Sequence, residues 1–381
     1  MKELTYSNLK QLKPNSYILI DTRDSGSILY GMIPGAIHIA EEELYANLVR
    51  YAKEFDPQKD VILYCQRGVR SINLAEAFEE QGRECCSLSG GYLAYLRDTV
   101  SSDKQSSEIQ PKAENSIRRK YHKQLFTPFA KACKQYQLIR EGDHIAVCIS
   151  GGKDSMLMAK LFQEIRTHRQ VNFDLTFLVM DPGYNADNRS LIEHNARSLG
   201  IPITIFESSI FDAVDTVEKN PCYLCARMRR GYLYSKAKEL GCNKIALGHH
   251  YDDVIETILM GMLYGGQVQT MMPKLHSTNF EGMELIRPMY LIREADICKW
   301  RDYNELHFLQ CACHFTETCT TCHEDGTTSS KRLETKKLIA ELKKTNPQVE
   351  ANIFNSVSNV NLSTVIAYKE DGVKHHFLDS Y

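Results

Sequence analysis

The run His144-Ile145-Ala146-Val147-Cys148-Ile149-Ser150-Gly151-Gly152-Lys153-Asp154-Ser155 constrains this chain more than any other stretch. A strand-like apolar segment runs directly into a glycine pair, and an amphipathic helical pattern, KDSMLMAKLFQEIRTH, follows at once. A strand that turns this sharply into a helix belongs to α/β architecture, in which parallel strands alternate with covering helices. The glycines let the backbone approach an anion, and the helix start supplies N–H donors and positive potential. Lys153, Ser150 and Ser155 add contacts to phosphate oxygens. The spacing is not that of a Walker loop, which needs G-x-x-x-x-G-K-[ST].

The alternation continues through FDLTFLVM, NRSLIEHNARSLG, ITIFE and KIALG, the last leading into DDVIETILMGMLYGG. It predicts a doubly wound parallel sheet with its sites at the carboxyl ends of the strands. Upstream, YILID, AIHIA and VILYC alternate with helical patterns such as SINLAEAFEEQG, which predicts a smaller α/β domain over residues 1–98. The polar, serine-rich stretch 99–112 reads as a linker, 113–368 as the second domain and 369–381 as a tail. Beyond about residue 330 the pattern is helical, without a chemical motif. A length of 381 residues suits this division. With 43% apolar and 25% charged residues the chain is not a disordered one. No apolar run reaches the ~18–20 residues of a membrane span, so a soluble, cytoplasmic protein with no membrane partner is expected.

The net charge of −2 hides an asymmetry. Between residues 112 and 140 stand eight basic residues (Lys112, Arg118, Arg119, Lys120, Lys123, Lys131, Lys134 and Arg140) against Glu114 alone. Such a stretch either neutralises phosphates or forms a solvated helix face. Thirteen cysteines is an odd number in a chain far too large to need disulfide staples, and without an export signal they are expected to be reduced. Cys148, within a strand, reads as a small hydrophobe.

Tyr64-Cys65-Gln66-Arg67-Gly68-Val69-Arg70-Ser71 also follows an apolar strand and opens a helix. There a cysteine sits among backbone N–H groups at the positive end of the helix dipole, and Arg67 and Arg70 favour its thiolate. Gly68 permits the turn and Ser71 suits an N-cap. Together with Asp21-Thr22-Arg23 and Ile33-Pro34-Gly35-Ala36-Ile37-His38, this loop resembles a rhodanese domain over residues 1–98. Related phosphatase loops hold one more residue between Cys and Arg, so the tighter ring from Cys65 to Arg70 favours sulfur over phosphate. The resemblance implies that Cys65 carries sulfane sulfur. Cys85 and Cys86 read as structural.

SGGKDS in turn looks like the PP-loop of enzymes that split ATP into AMP and pyrophosphate. Gly248-His249-His250-Tyr251-Asp252-Asp253 again follows a strand and enters a helix. Adjacent carboxylates near bound phosphates suit Mg²⁺, although either could act only on the helix dipole. Pro221-Cys222-Tyr223-Leu224-Cys225 begins a helix that carries Arg227, Arg229 and Arg230. A C-x-x-C serves zinc, an iron–sulfur cluster or redox cycling, and the residues alone leave zinc and iron–sulfur level.

SGGKDS, CYLCARMRRG, LGHHYDDVIETILMGMLYGG, MMPKL and IRPMYLIRE together resemble the tRNA 2-thiocytidine synthetase family over about 112–368. The resemblance implies an adenine nucleotide alpha hydrolase-like fold, ATP, and a 4Fe–4S cluster on three cysteines with one iron free of protein ligands. Cys222, Cys225 and Cys311 match those positions, with Cys313 the alternative third ligand because this chain has C-x-C there. Tyr251 stands where the family commonly has Arg. Cys319 and Cys322 are extra, read as loop cysteines or as a zinc site with Cys313 and His323. The implied reaction adenylates O2 of a tRNA cytidine, at anticodon-loop position 32, and a cluster-held sulfur then attacks C2 and expels AMP. ATP would lie on Ser150–Ser155 with Gly248 and His249, Mg²⁺ near Asp252 and Asp253, and Arg229 beside developing negative charge. A single-stranded anticodon loop can splay a base into a cleft, with the tRNA on helix 114–138 and Arg227–Arg230. A cysteine desulfurase would load Cys65, and the family implies a homodimer. The rival readings are a 2-thiouridine-forming relative, a nitrogen-transfer PP-loop ligase, and a non-catalytic sulfur carrier.

Overall fold

The computed structural model describes residues 2–101, 106–208, 210, 221–308 and 331–381, with the side chains of 2, 100, 101, 106, 107, 221–226 and 380 outside that description. Strands β1 (Lys2–Leu4), β2 (Tyr17–Asp21), β3 (Ile37–His38), β4 (Asp60–Tyr64) and β5 (Cys85–Leu88) form a parallel sheet in the order β1-β5-β4-β2-β3. The second sheet holds β6 (His144–Ile149), β7 (Asp174–Asp181), β8 (Ile203–Glu207), β9 (Lys244–Ala246), β10 (Lys274–His276) and β11 (Glu284–Ile286). Its order is β10-β11-β9-β6-β7-β8, parallel throughout except for β10 against β11. Covered on both faces, β6 is buried from Ile145 to Ile149, which is why its sequence is apolar without alternation.

This order places the two nucleotide-type motifs. The chain leaves β6 toward β7 and β8 on one side, while β9 pairs on the other, so the order reverses between β6 and β9. At such a reversal the loops after neighbouring strands diverge and leave a crevice. Ser150–Ser155 follows β6, and Gly248–Asp253 follows β9.

Three expectations about organisation change. Within 99–112, a helix runs from Ser106 to Arg118, because Ile109, Ala113 and Ile117 recur every four residues and face the core. The basic helix expected over 114–138 is broken into that helix, a π-helical turn at His122–Phe126 and a helix at Thr127–Gln135. After helices Lys331–Thr345 and Val349–Ser356 the tail forms an antiparallel hairpin, β12 (Ala367–Glu370) with β13 (Val373–His376). Its turn is Asp371-Gly372, both at positive φ (49° and 82°), an Asp-Gly hairpin signal that the sequence displayed.

The two sheets share a core. One buried apolar cluster includes Leu19, Tyr64 and Tyr92 from the first unit and Phe129, Phe162 and Trp300 from the second. At the seam Tyr95 Oη lies 2.6 Å from His307 Nε2, and Arg97 pairs with Asp187 at 2.6 Å. The Leu29 carbonyl accepts a hydrogen bond from Arg301 Nη1.

Candidate active site at two anion cradles

The cysteine loop is held from beneath. Thr22 N donates to the Tyr64 carbonyl (2.9 Å) and Tyr92 N to that of Cys65 (2.9 Å), so the end of β4 is fixed between β2 and the helix Gly91–Ser101. Gly68 N points at Cys65 Sγ from 3.2 Å, and Ser71 Oγ donates to the same sulfur at 3.6 Å. Ser71 is therefore not the N-cap that its position suggests. The helix begins at Arg70, and the Ser71 hydroxyl, wholly buried, is spent on Cys65 and on Ser87 Oγ at 2.8 Å. Gly91 allows the closest packing: a Cβ there would lie 2.3 Å from the Cys65 carbonyl and 2.6 Å from Gly68 N, and its φ is +55°. Arg70 pairs with Glu41 at 2.8 Å. Cys85 is buried, and burial pushes its thiol up to about 12, in keeping with a structural role; Cys86 is half-buried.

Beneath the loop lies an ion pair missed from the sequence, although Asp21-Thr22-Arg23 ends a strand. Asp21 and Arg23 are both buried and pair at 2.6 Å; Tyr64 Oη donates to Asp21 at 2.7 Å. Arg23 also donates to Gln66 Oε1 (3.3 Å) and to the Gly31 carbonyl (2.6 Å), with its guanidinium 3.8 Å from the centre of the Tyr92 ring. A buried charge in this position needs such complete pairing.

In the PP-loop, Gly151 has φ +84°, and Ser155 Oγ closes the turn by donating to the Gly152 carbonyl (3.0 Å) while accepting from Ser150 N (3.1 Å). Lys153 begins the helix Lys153–Thr167 and is 1% exposed, bonded to Asp154 and Glu294 at 3.1 Å each. Burial works against its charge, but the two carboxylates outweigh it and hold the ammonium well above the usual lysine range. Glu294 gave no sequence signal. Burial raises its pKa, yet Lys153, His250 and Lys336 bring it down to about 2. Arg332 and Lys336, from the helix Lys331–Thr345, reach Asp253 (2.9 Å) and Glu294.

The adjacent carboxylates Asp252 and Asp253 take different hydrogen-bond partners. Successive residues at a helix start point about 100° apart. Asp253 forms a capping box with His250, accepting from His250 N at 3.0 Å, and lines the cavity. Asp252 turns to Arg293 (3.0 Å) and to Glu294 N (2.7 Å), where it caps the helix Glu294–Tyr303. Tyr251 stacks on Phe354 at 4.4 Å, with Arg293 4.9 Å from its ring centre, so an arginine still stands beside this position. Burial lowers His249 to about 4, helped by Arg287 and opposed by Asp253. Glu256, one turn beyond Asp253, is raised to about 7 by burial that Arg332 only partly offsets.

Arg229 lies on the helix Pro221–Glu239, four residues and about one turn beyond Cys225. Its guanidinium donates to Tyr184 Oη at 3.2 Å and lines the same cavity as the PP-loop, whereas Arg227 and Arg230 are exposed. The Cys222 and Cys225 side chains, and all of Cys311, Cys313, Cys319 and Cys322, lie outside the described residues. Among the described residues no cluster of three or more His, Cys, Asp or Glu has the disposition of a metal site. No described helix is long and apolar enough to cross a membrane. Of the basic stretch, Lys112 and Arg118 pair with Glu305 and Glu164 at 2.8 Å, while Arg119, Lys123, Lys131 and Lys134 are exposed.

The rhodanese-like domain family matches residues 5–98 and the PP-loop domain family residues 118–313. The tRNA-cytidine(32) 2-sulfurtransferase of Anaeromyxobacter dehalogenans (strain 2CP-C) is 33% identical over 241 residues, 62% of this chain and 79% of that protein. The protein of the same name from Coxiella burnetii (strain RSA 493) is 34% identical over 256 residues, 66% of this chain and 95% of its own. Among solved structures, the U34-tRNA thiolase NcsA from Methanococcus maripaludis with its 4Fe-4S cluster is similar over 62% of this chain and 79% of that one, at 22% identity and a TM-score of 0.48. The chain belongs to the PP-loop family whose curated members are named tRNA-cytidine(32) 2-sulfurtransferase, and it carries a rhodanese-like domain ahead of that unit.

Proposed function

We propose that this chain is an ATP-dependent tRNA sulfurtransferase that replaces O2 of a cytidine, position 32 of the anticodon loop, with sulfur. The observation that carries the reading is the meeting of two chemistries on one cavity: Cys65 and Arg70 on one wall, Ser150, Lys153 and Asp253 on another. The relatives' name supplies the substrate class.

ATP binds on Ser150–Ser155, with Gly248 and His249 opposite. Backbone N–H groups and Lys153 hold the phosphates, and the cytidine O2 attacks the α-phosphorus to release pyrophosphate. Asp154 Oδ1 is buried without a hydrogen-bond partner and Asp253 lines the same cavity, a donor set that fits Mg²⁺. Mg²⁺ would offset phosphate charge; Asp252, bound to Arg293 and the Glu294 amide, positions the neighbouring helix instead. Arg229 steadies negative charge as AMP leaves. The cysteines assigned by resemblance to a 4Fe–4S cluster are Cys222, Cys225 and Cys311, with Cys313 the alternative; such a cluster supplies a site where sulfide is presented to the activated carbon. Cys65 holds sulfane sulfur received from a donor such as a cysteine desulfurase. The exposed Arg119, Lys123, Lys131 and Lys134, with Arg227 and Arg230, meet the tRNA backbone. A cytoplasmic homodimer is the expected form.

The test is nucleoside mass spectrometry of tRNA treated with anaerobically reconstituted protein, ATP, Mg²⁺ and sulfide. The expected product is 2-thiocytidine with one AMP and one pyrophosphate per base. Appearance of 2-thiouridine alone overturns the choice of base, and pyrophosphate release without thiolated product overturns the reaction.

A further inference from the structure

We infer that sulfur from Cys65 reaches the PP-loop site of the same chain, through the cleft that joins them, a step resting on the sulfurtransferase reading above. Three observations support it. First, Cys65 and Arg67 line the same partly open cleft, of about 1380 Å³, as Ser150, Lys153 and Asp154 do. A small-ligand pocket holds roughly 300–1,000 Å³, so a nucleotide leaves room beside it.

Second, the wall between the two ends is built from the N-terminal domain and is fastened at both. Arg23 bonds Gln66, the residue after Cys65, and the carbonyl of Gly31. Gly31 has φ +120°, and a Cβ there would meet Tyr92 Oη at 2.8 Å, so only glycine brings the chain this close. The next residue back, Tyr30, puts its ring 4.9 Å from Lys153 Nζ, and its carbonyl accepts from Phe308 N at 3.5 Å. Arg23, Gly31 and Tyr30 thus tie Gln66 of the cysteine loop to the PP-loop lysine, and Leu29 binds Arg301 alongside them.

Third, no second thiol on the cleft competes for the sulfur among the described residues. Arg67, Arg70 and Arg229 border it together with Glu41, Asp253 and Glu294, a polar passage, and the other described thiol on its wall, Cys148, is kept protonated by burial, which pushes it up to about 12. A protonated thiol is a poor competitor for sulfane sulfur.

The release step balances with a thiol reductant. The Sγ–S bond of the Cys65 persulfide breaks, the outer sulfur leaves as hydrogen sulfide, Cys65 regains its thiol, and two reductant thiols become one disulfide. The sulfide is thereby set free within the cleft that the PP-loop also lines.

The experiment uses full-length chains, thiosulfate labelled with ³⁴S in its outer sulfur, dithiothreitol, ATP and tRNA. Cys65→Ser and Lys153→Ala, each first shown to melt with the parent, are assayed singly and as a co-expressed pair, in which no chain has both groups intact. Delivery within one chain predicts labelled 2-thiocytidine from the parent, and less than a tenth of that from either variant or the pair. A pair above one tenth means delivery between chains, and labelled product from Cys65→Ser alone means that Cys65 is no carrier; either overturns the inference. Excess unlabelled sulfide in the parent assay gives a second readout: a ³⁴S fraction clearly above the bulk ratio supports delivery through the cleft, and a fraction equal to the bulk ratio overturns it. A parent that thiolates with neither thiosulfate nor free sulfide instead overturns the sulfurtransferase reading on which the inference stands.

Discussion

His307 offers a direct measure of how firmly the two domains are joined. Its ring lies edge-on to Tyr95 with centroids 4.9 Å apart, and its nitrogens meet Tyr95 Oη at 2.6 Å and Tyr92 Oη at 3.4 Å. Burial, assisted by Arg301, lowers its pKa from 6.5 to about 4. As pH falls the unfolded imidazole takes its proton first, so the unfolded chain binds more protons between those values. The stability tied to a neutral His307 is therefore complete above pH 6.5 and lost toward pH 4. Between pH 7.5 and 5.0 the loss comes to about 2 kcal/mol, at ~1.4 kcal/mol per pH unit of differential protonation.

The profile of the parent chain alone would conceal this. Glu256, raised from 4.5 to about 7, keeps in the folded state a proton that the unfolded chain has lost. It therefore adds stability as pH falls through the same range, by about 2 kcal/mol in the opposite direction. The informative quantity is the difference between the parent and His307→Gln, in which Glu256 is common to both. In urea denaturation, the destabilisation caused by His307→Gln at pH 7.5 should shrink by about 2 kcal/mol at pH 5.0. A difference that stays constant within ~0.5 kcal/mol would mean that the ring titrates normally and that the seam is open to water.

Gly91→Ala should lower thiosulfate:cyanide sulfurtransfer more than tenfold, because a Cβ lies 2.3 Å from the Cys65 carbonyl; a parent-like rate would mean that the loop is not held by this contact. Asp21→Asn strands the buried Arg23 and should cost about 3–5 kcal/mol in urea denaturation, whereas a cost under ~1 kcal/mol would show that the pair is solvated. Glu256→Gln removes the carboxylate whose pKa is raised to about 7, so it should stabilise the chain at pH 8 by about 3 kcal/mol and hardly at all at pH 4.5; equal effects at both pH values would assign the change to packing.

Both cradles were legible in the sequence because each is local. A strand, a glycine and a helix start supply the whole anion site, and all three lie within about ten residues. What escaped is what arrives from elsewhere. Glu294 and Lys336 meet at Lys153 from helices 141 and 183 residues downstream, through side chains that look like ordinary surface charges in sequence. Asp252 misled through adjacency, since a helix start sends neighbours to different faces. Ser71 misled through type: a serine at a helix start suits a cap, but this one follows Arg70 into the first turn and bonds the cysteine. The stretch 99–112 looked like a linker by composition, although Ile109 was already in register with Ala113 and Ile117.

That last difference decides how the sulfur carrier works with its partner site. Domains joined by a flexible linker meet through modest, rather polar interfaces, and relative motion is then the default expectation. Here one apolar cluster runs through both sheets, and His307, half-buried in the seam, has its pKa pushed down to about 4 by desolvation. The PP-loop lysine itself, 1% exposed, has a tyrosine of the N-terminal domain among its neighbours. Moving that domain away would expose part of a shared core and open the environment of Lys153 to water. A swinging carrier would have to undo such contacts at every turnover, whereas a fixed wall need not. With the wall fixed, the delivery inferred above moves the sulfur rather than the domain, across the cleft that Cys65 and Lys153 both line.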